Sequence, residues 1–182
     1  PVSIKIQSPV SIKRIDSVGG VDAAKRVQAG EAFDVVVLAS DAIDKLIASG
    51  HVQAGSKVDL VHSGVAVAVR AGSGQGTLAV DISSEAAVRS AVLNAKSVSY
   101  STGPSGVALA KLFDRWGIAA DIAPRMVQAP PGVPVGTLVA SGQVELGFQQ
   151  LSELIHLPGI EVLGPLPAEI QITTTFSAGV AS

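Results

Sequence analysis

The feature that most restricts the fold is the run Phe33–Leu38, FDVVVL, set between two amphipathic segments that each stop at a glycine. β-branched residues are stiff at χ1 and favour extended backbone. A continuous apolar run of this length fits a strand buried on both faces, as in sheets covered by helices on each side. Before it, Gly20–Ala29 places Val21, Ala24 and Val27 at helical spacing, with Gly30 as the stop. After it, Asp41–Ser49 carries Ile43, Leu46 and Ile47 as an apolar stripe, with Ser40 or Asp41 as N-cap and Gly50 as the stop. The order is helix, strand, helix.

The alternation continues. Val65–Val69 reads as a strand, followed by a Gly/Ser loop at residues 71–76. Ser83 or Ser84 caps a helix to about Ala95, with Glu85 in its first turn where the helix dipole favours it. Ser97–Tyr100 is a short strand, and Pro104–Trp116 a strong helix ended by Gly117. Residues 129–134 form a stiff turn, Val135–Ser141 a helix stopped by Gly142, and Val144–Phe148 a strand. A short helix around Ser152–Ile155, the run Glu161–Leu163 and a strand at Ile170–Phe176 complete the chain. The opening residues 1–16 read as one or two short strands. Strands alternating with helices predict the α/β class, in which ligands sit past the carboxyl ends of strands.

Composition bears on partners. Among 182 residues the apolar types make up 47% and the charged types 15%, enough to bury a sizeable core, yet the aromatics are only 3%. Stacking platforms for single-stranded nucleic acid and ring cages for cations cannot be built in number. A net charge of −2 leaves no electrostatic footprint for nucleic acid. No apolar run reaches a membrane span, so the chain is expected not to be membrane-inserted. Cysteine is absent, and the three histidines, at 51, 62 and 156, lack metal-ligand spacing, so neither a metal nor a cofactor is expected. No basic-then-apolar leader opens the chain.

Three strand-to-helix turns are candidates for chemistry. Ser17-Val18-Gly19-Gly20 leads into a helix, and its glycines let a ligand approach the backbone. Ser99-Tyr100-Ser101-Thr102-Gly103-Pro104-Ser105-Gly106 offers hydroxyls, exposed N–H groups and the positive end of a helix dipole. Phe148-Gln149-Gln150 puts two carboxamides at a strand end. Ordinary helix capping would use the same residue types. The phosphate-loop and GxSxG spacings are absent, so Ser63 and Ser105 lack a nucleophile's context. His62 reads as a capped loop histidine, Trp116 as core, and Asp22, Asp41 and Glu153 as residues favoured by nearby helix dipoles.

Taken together, FDVVVLASDAIDKLIASG, VAVAVRAG, YSTGPSGVALAKLFDRWGI and VPVGTLVASGQVELGFQQLSEL resemble the molybdate-binding-protein-like branch of the type II periplasmic solute-binding proteins. The similarity runs from about Ser17 to about Phe176. It implies two α/β lobes with parallel or mixed sheets joined by crossover strands: residues 1–64 plus 170–182, and residues 65–169. The first lobe, on this comparison, is incomplete. By the same resemblance Ser17 is a hydroxyl donor, Ser105 a backbone donor, and Val133 or Val135 lies near a second backbone donor. Gln150 or Gln149 falls where molybdate binders carry a tyrosine. With Gly19, Gly20, Ser40, Ser101, Thr102 and Gly106 these form the candidate ligand site. A glutamine there, beside hydroxyl-rich Ser99–Thr102, favours a larger organic anion such as a carboxylate.

The function implied is capture of a small anion between two lobes for an ABC-type transporter permease in the periplasm. The alternative on the same scaffold is an isomerase of a tricarboxylate, similar to aconitate isomerase, with His62, Asp22 or Glu153 as the base. A further alternative is a ligand-sensing domain.

Overall fold

The computed structural model describes residues 14–73, 80–130 and 132–182. The strands expected within residues 1–16 fall almost wholly, and the loop at 71–76 partly, outside the described residues. The elements run α1 (Gly20–Gln28), β1 (Val35–Ala39), α2 (Ser40–Ala48), β2 (Val58–Arg70), α3 (Glu85–Asn94), β3 (Val98–Tyr100) and α4 (Pro104–Arg115). Then come α5 (Ala119–Ile122), β4 (Met126–Gln128), α6 (Val135–Ala140), β5 (Leu146–Gln150), α7 (Leu151–Leu154), β6 (Ile160–Pro165) and β7 (Thr173–Val180). The fold is α/β with a mixed sheet in the order β1-β7-β2-β5-β3-β4, and β6 also pairs with β2. β3 runs parallel to β4 and β5; the other pairings are antiparallel.

β2 joins two packing environments. Its first half, to Gly64, pairs with β7, and its second half, from Val65, pairs with β5 and with β6. On one side of that change α1 and α2 pack Val27, Ile43 and Leu46 against Val36 and Leu38 of β1. On the other, Val65, Val67 and Val69 are almost wholly buried beside Leu109, Leu112, Phe113, Leu146 and Phe148. Phe113 of α4 meets Phe148 of β5 edge-on, with centroids 6.2 Å apart, a favoured arrangement for aromatic rings.

Several expectations change. The FDVVVL strand is buried on one face only: Val36 and Leu38 point into the core, while Val35 is 57% and Val37 53% exposed. α1 and α2 cover a single face of this part of the sheet, and the apolar run by itself does not report how many layers cover it. Ala39, with no side-chain hydrogen bond, is the N-cap of α2, and Ser40 is its first residue. β2 begins at Val58, because pairing with β7 extends the strand through the exposed stretch Val58–His62. His62 is therefore a strand residue, with Nδ1 2.9 Å from Thr175 Oγ1. Trp116 sits at the rim of the core, half-buried, and donates to Glu85 Oε1 at 2.7 Å. The stops at Gly30, Gly50, Gly117 and Gly142 all take positive φ, as C-terminal glycines do.

Candidate functional site

Because β3, β4 and β5 are parallel, their carboxyl ends fall at one edge, with Tyr100 in register with Gln128 and with Phe148. The turn after β4 is tied to the turn after β3, since Ala129 N–H donates to Tyr100 O at 2.9 Å. In the neighbouring part of the sheet β1 ends at Ala39, opposite Phe176 of β7. α1 begins at this edge too. A Cβ placed on Gly19 would stand 3.5 Å from Gly132 N, in the turn after β4, and one on Gly20 would stand 3.9 Å from Leu38 Cδ2. The starts of α1, α2, α4 and α7 thus lie at strand carboxyl ends, and the N-cap residue of none of them provides a side-chain cap. By contrast α3 begins away from this edge, and Ser84 Oγ accepts from Ala87 N.

The α4 start is the richest in donors. Pro104 is the first helical residue, so Ser105 presents the first helical N–H, and such groups have no intrahelical acceptor. Ser101 Oγ and the buried Ser105 Oγ are 3.2 Å apart. Gly106 has no room for a side chain: a Cβ would lie 1.8 Å from Ser101 O. Its N–H donates to Gly103 O, which closes the turn. No acidic residue stands in the first turn of α4, whereas Asp22 and Asp41 occupy those of α1 and α2.

The other predicted residues divide. Val135 N–H donates to Gln149 Oε1 at 2.9 Å, and the Gln149 amino group in turn bonds Glu153. Gln149 therefore caps α6. Val133 N–H is spent within its own turn, donating to Pro130 O. The pairs Ser101–Ser105 and Val135–Gln149 are brought together. No side-chain hydrogen bond among the described residues joins Ser17, Ser40 or Thr102 to the rest. Ser17 is exposed, and the residue before it is anchored: Asp16 takes Arg14 at 2.7 Å and Arg26 at 2.9 Å, and Arg26 also pairs with Glu31. The two guanidinium groups hold the Asp16 carboxyl down at about 2. Glu153 is exposed as a residue, but its carboxyl leans on buried Gln149; partial loss of water raises its pKa, and the Gln149 hydrogen bond partly opposes this.

Two groups at this edge were not predicted as site residues. Buried Ser63 lies where β2 changes partners, 3.1 Å from Ser152 Oγ of α7. Gln171 binds both passing segments: its Oε1 accepts from Val65 N and Ile172 N, and its Nε2 donates to Leu166 O. Only pairing across a long stretch of chain creates either position. A separate open groove of about 780 Å³ runs along α3 beside Trp116, with Glu85 and Glu169 in its wall. Among the described residues no cluster of His, Asp and Glu could hold a metal ion, and no helix is long and apolar enough to cross a membrane.

A family model for bacterial extracellular solute-binding proteins matches residues 8–182. An aconitate isomerase from Pseudomonas sp is 41% identical over 158 residues, which cover 86% of this chain and 58% of that protein. The chain thus spans little more than half the length of this relative. Among solved structures, the periplasmic molybdate-binding protein of Azotobacter vinelandii superposes with a TM-score of 0.70 at 19% identity, over 91% of this chain and 72% of its own. PEB3 bound to L-phospholactate gives 0.63 at 13% identity, over 90% and 72%. The tungstate-binding protein TupA of Desulfovibrio alaskensis G20 gives 0.55 at 18% identity, over 93% and 69%. These likenesses carry the fold. The chain belongs to the bacterial extracellular solute-binding protein family.

Proposed function

We propose that this solute-binding protein captures a small anion between two lobes, residues 1–64 plus 170–182 and residues 65–169, and presents it to an ABC-type permease in the periplasm. The observation that carries the reading is the gathering of uncapped helix starts at strand carboxyl ends, chiefly the α4 turn with its Ser101 and Ser105 hydroxyls. Helix N-termini with free N–H groups favour negative charge. The molybdate- and tungstate-binding neighbours and the phospholactate complex are anion binders on the same fold.

In this mechanism the second lobe supplies the fixed donors of the α4 turn. The first lobe brings Ser17, Gly19, Gly20 and Ser40 across the gap. The chain passes between lobes at Gly64–Val65 and again near Gln171, and a bend there closes the cleft. An anion that bridges both sets of donors binds the closed form better and so shifts the population toward it. At a net charge of −2, selection of anions falls to local donors. Titration calorimetry with molybdate, tungstate and di- and tricarboxylates tests this: saturable binding of one class supports the reading, and no binding of any overturns it.

A second reading is favoured by the 41% identical aconitate isomerase. A tricarboxylate held by the same donors would undergo an allylic proton shift, which needs a base beside the substrate carbon. His62 is engaged with Thr175, Glu153 with Gln149, and Asp22 stands half-buried in the first turn of α1. Proton NMR with trans-aconitate separates the readings. Catalytic appearance of the cis isomer favours the isomerase, and binding without conversion favours capture.

A further inference from the structure

Gln150 ends β5 and is only 4% exposed, yet its Oε1 is buried with no hydrogen-bond partner. Buried polar atoms are matched in the great majority of cases, and an unmatched one calls for a cause. The neighbouring carboxamides are committed. Gln149 takes Val135 N and bonds Glu153, and Gln171 uses both its oxygen and its amino group. Gln150 does not cap the helix that follows it.

Its place points to a ligand. Side chains alternate along a strand, so Gln150 shares a face with Phe148, the face against which Phe113 of α4 packs. It stands two residues nearer the carboxyl end than Phe148, which is in register with Tyr100, and so toward the turn that leads into α4. Ser99 Oγ is the other unmatched buried side-chain atom described. It belongs to the opposite face, in register with Gly147, where α6 packs.

The α4 turn and Gln150 Oε1 make different demands. The N–H and hydroxyl groups of the turn want an acceptor carrying negative charge. The carboxamide oxygen wants a donor, which a bare oxyanion, bringing acceptors alone, does not supply. We infer that the ligand is a hydroxycarboxylate: its carboxylate takes the donors of the α4 turn, and its own hydroxyl donates to Gln150 Oε1. This rests on the anion-capture reading and narrows it, since a fully deprotonated oxyanion would leave the glutamine oxygen unmatched.

Matched pairs that differ by one hydroxyl test it by calorimetry: malate (each enantiomer) against succinate, and citrate against tricarballylate. The hydroxylated member of at least one pair binds about tenfold tighter, or ~1.4 kcal/mol. In Gln150→Leu that preference falls to about twofold or less. Equal binding within both pairs overturns the inference and leaves anion capture standing, and so does a preference that survives in a folded Gln150→Leu variant. No binding of these acids, of molybdate or of tungstate overturns both. If Gln150→Leu fails to fold by circular dichroism, the pairs measured on the unmodified protein decide.

Discussion

The two halves of β2 are one strand in two surroundings. From Val58 to His62 every residue is exposed, whereas from Val65 to Val69 none is more than 3% exposed. In the first region, among the described residues, one layer of helices, α1 and α2, covers one side of the sheet. The opposite side shows Val35, Val37 and Val58 to solvent, each more than half exposed. In the second region α4 packs on one face, and α6 and α7 on the other. Local opening is easiest where few apolar contacts are buried. On the proposed reading, the donors of the α4 turn would be held in the densely packed frame, and those before α1 and α2 would stand on the thinner one and move toward them.

The largest effect should come from deleting a ring in the thick region. Phe148→Ala is expected to cost ~3–5 kcal/mol, whereas Val37→Ala in the thin region stays within about 0.5 kcal/mol. Urea unfolding measures both, and similar costs would erase the contrast. Next come two glycines under different walls. Gly106→Ala drives a Cβ into the backbone oxygen of Ser101, and overpacking of that kind should cost about 3 kcal/mol. Gly179→Ala meets Cγ1 of buried Val52 at 2.6 Å, a side-chain wall that must shift where Gly106 meets a backbone one, for about 2 kcal/mol. Thermal unfolding of the pair would sharpen or break the distinction.

Helix starts give a smaller comparison. Ser84→Ala removes the cap of α3 and should cost about 1 kcal/mol. Ser40→Ala removes no cap and should leave stability unchanged while weakening anion binding. A stability loss at Ser40 like that at Ser84 would return Ser40 to an ordinary structural role. The last effect is confined to the edge of the thin region. Asp16 titrates lower in the folded chain than unfolded, so its ion pairs help above the ordinary carboxylate range and are lost as pH falls through about 2. Between pH 4 and pH 2, amide resonances of residues 14–19 should move before those of β5. Simultaneous loss of both would show that Asp16 does not act locally.

Most helices were legible because their signals are local: an apolar stripe, a proline at the start of α4, a glycine past the ends of α1, α2, α4 and α6. The Ser101–Ser105 turn was legible for the same reason. β2 was read short because its exposed half owes its extension to β7, more than a hundred residues away. α5 and the three-residue β4 leave no period to detect. The cap that Gln149 places on α6 and the contact of Ser63 with Ser152 are pairings made by topology. Sequence placed Gln149 and Gln150 side by side as equals. The fold separates them, committing one to a helix start and leaving the oxygen of the other unmatched.

The most direct test is amide shift mapping of the protein titrated with citrate and, separately, with molybdate. For the anion that binds, Gly19, Gly20, Ser101 and Ser105 are expected to shift along one isotherm, since on the proposed reading both regions meet the same ligand. Shifts limited to one region, or gathered along α3 near Ser84, Arg89 and Trp116, would contradict it.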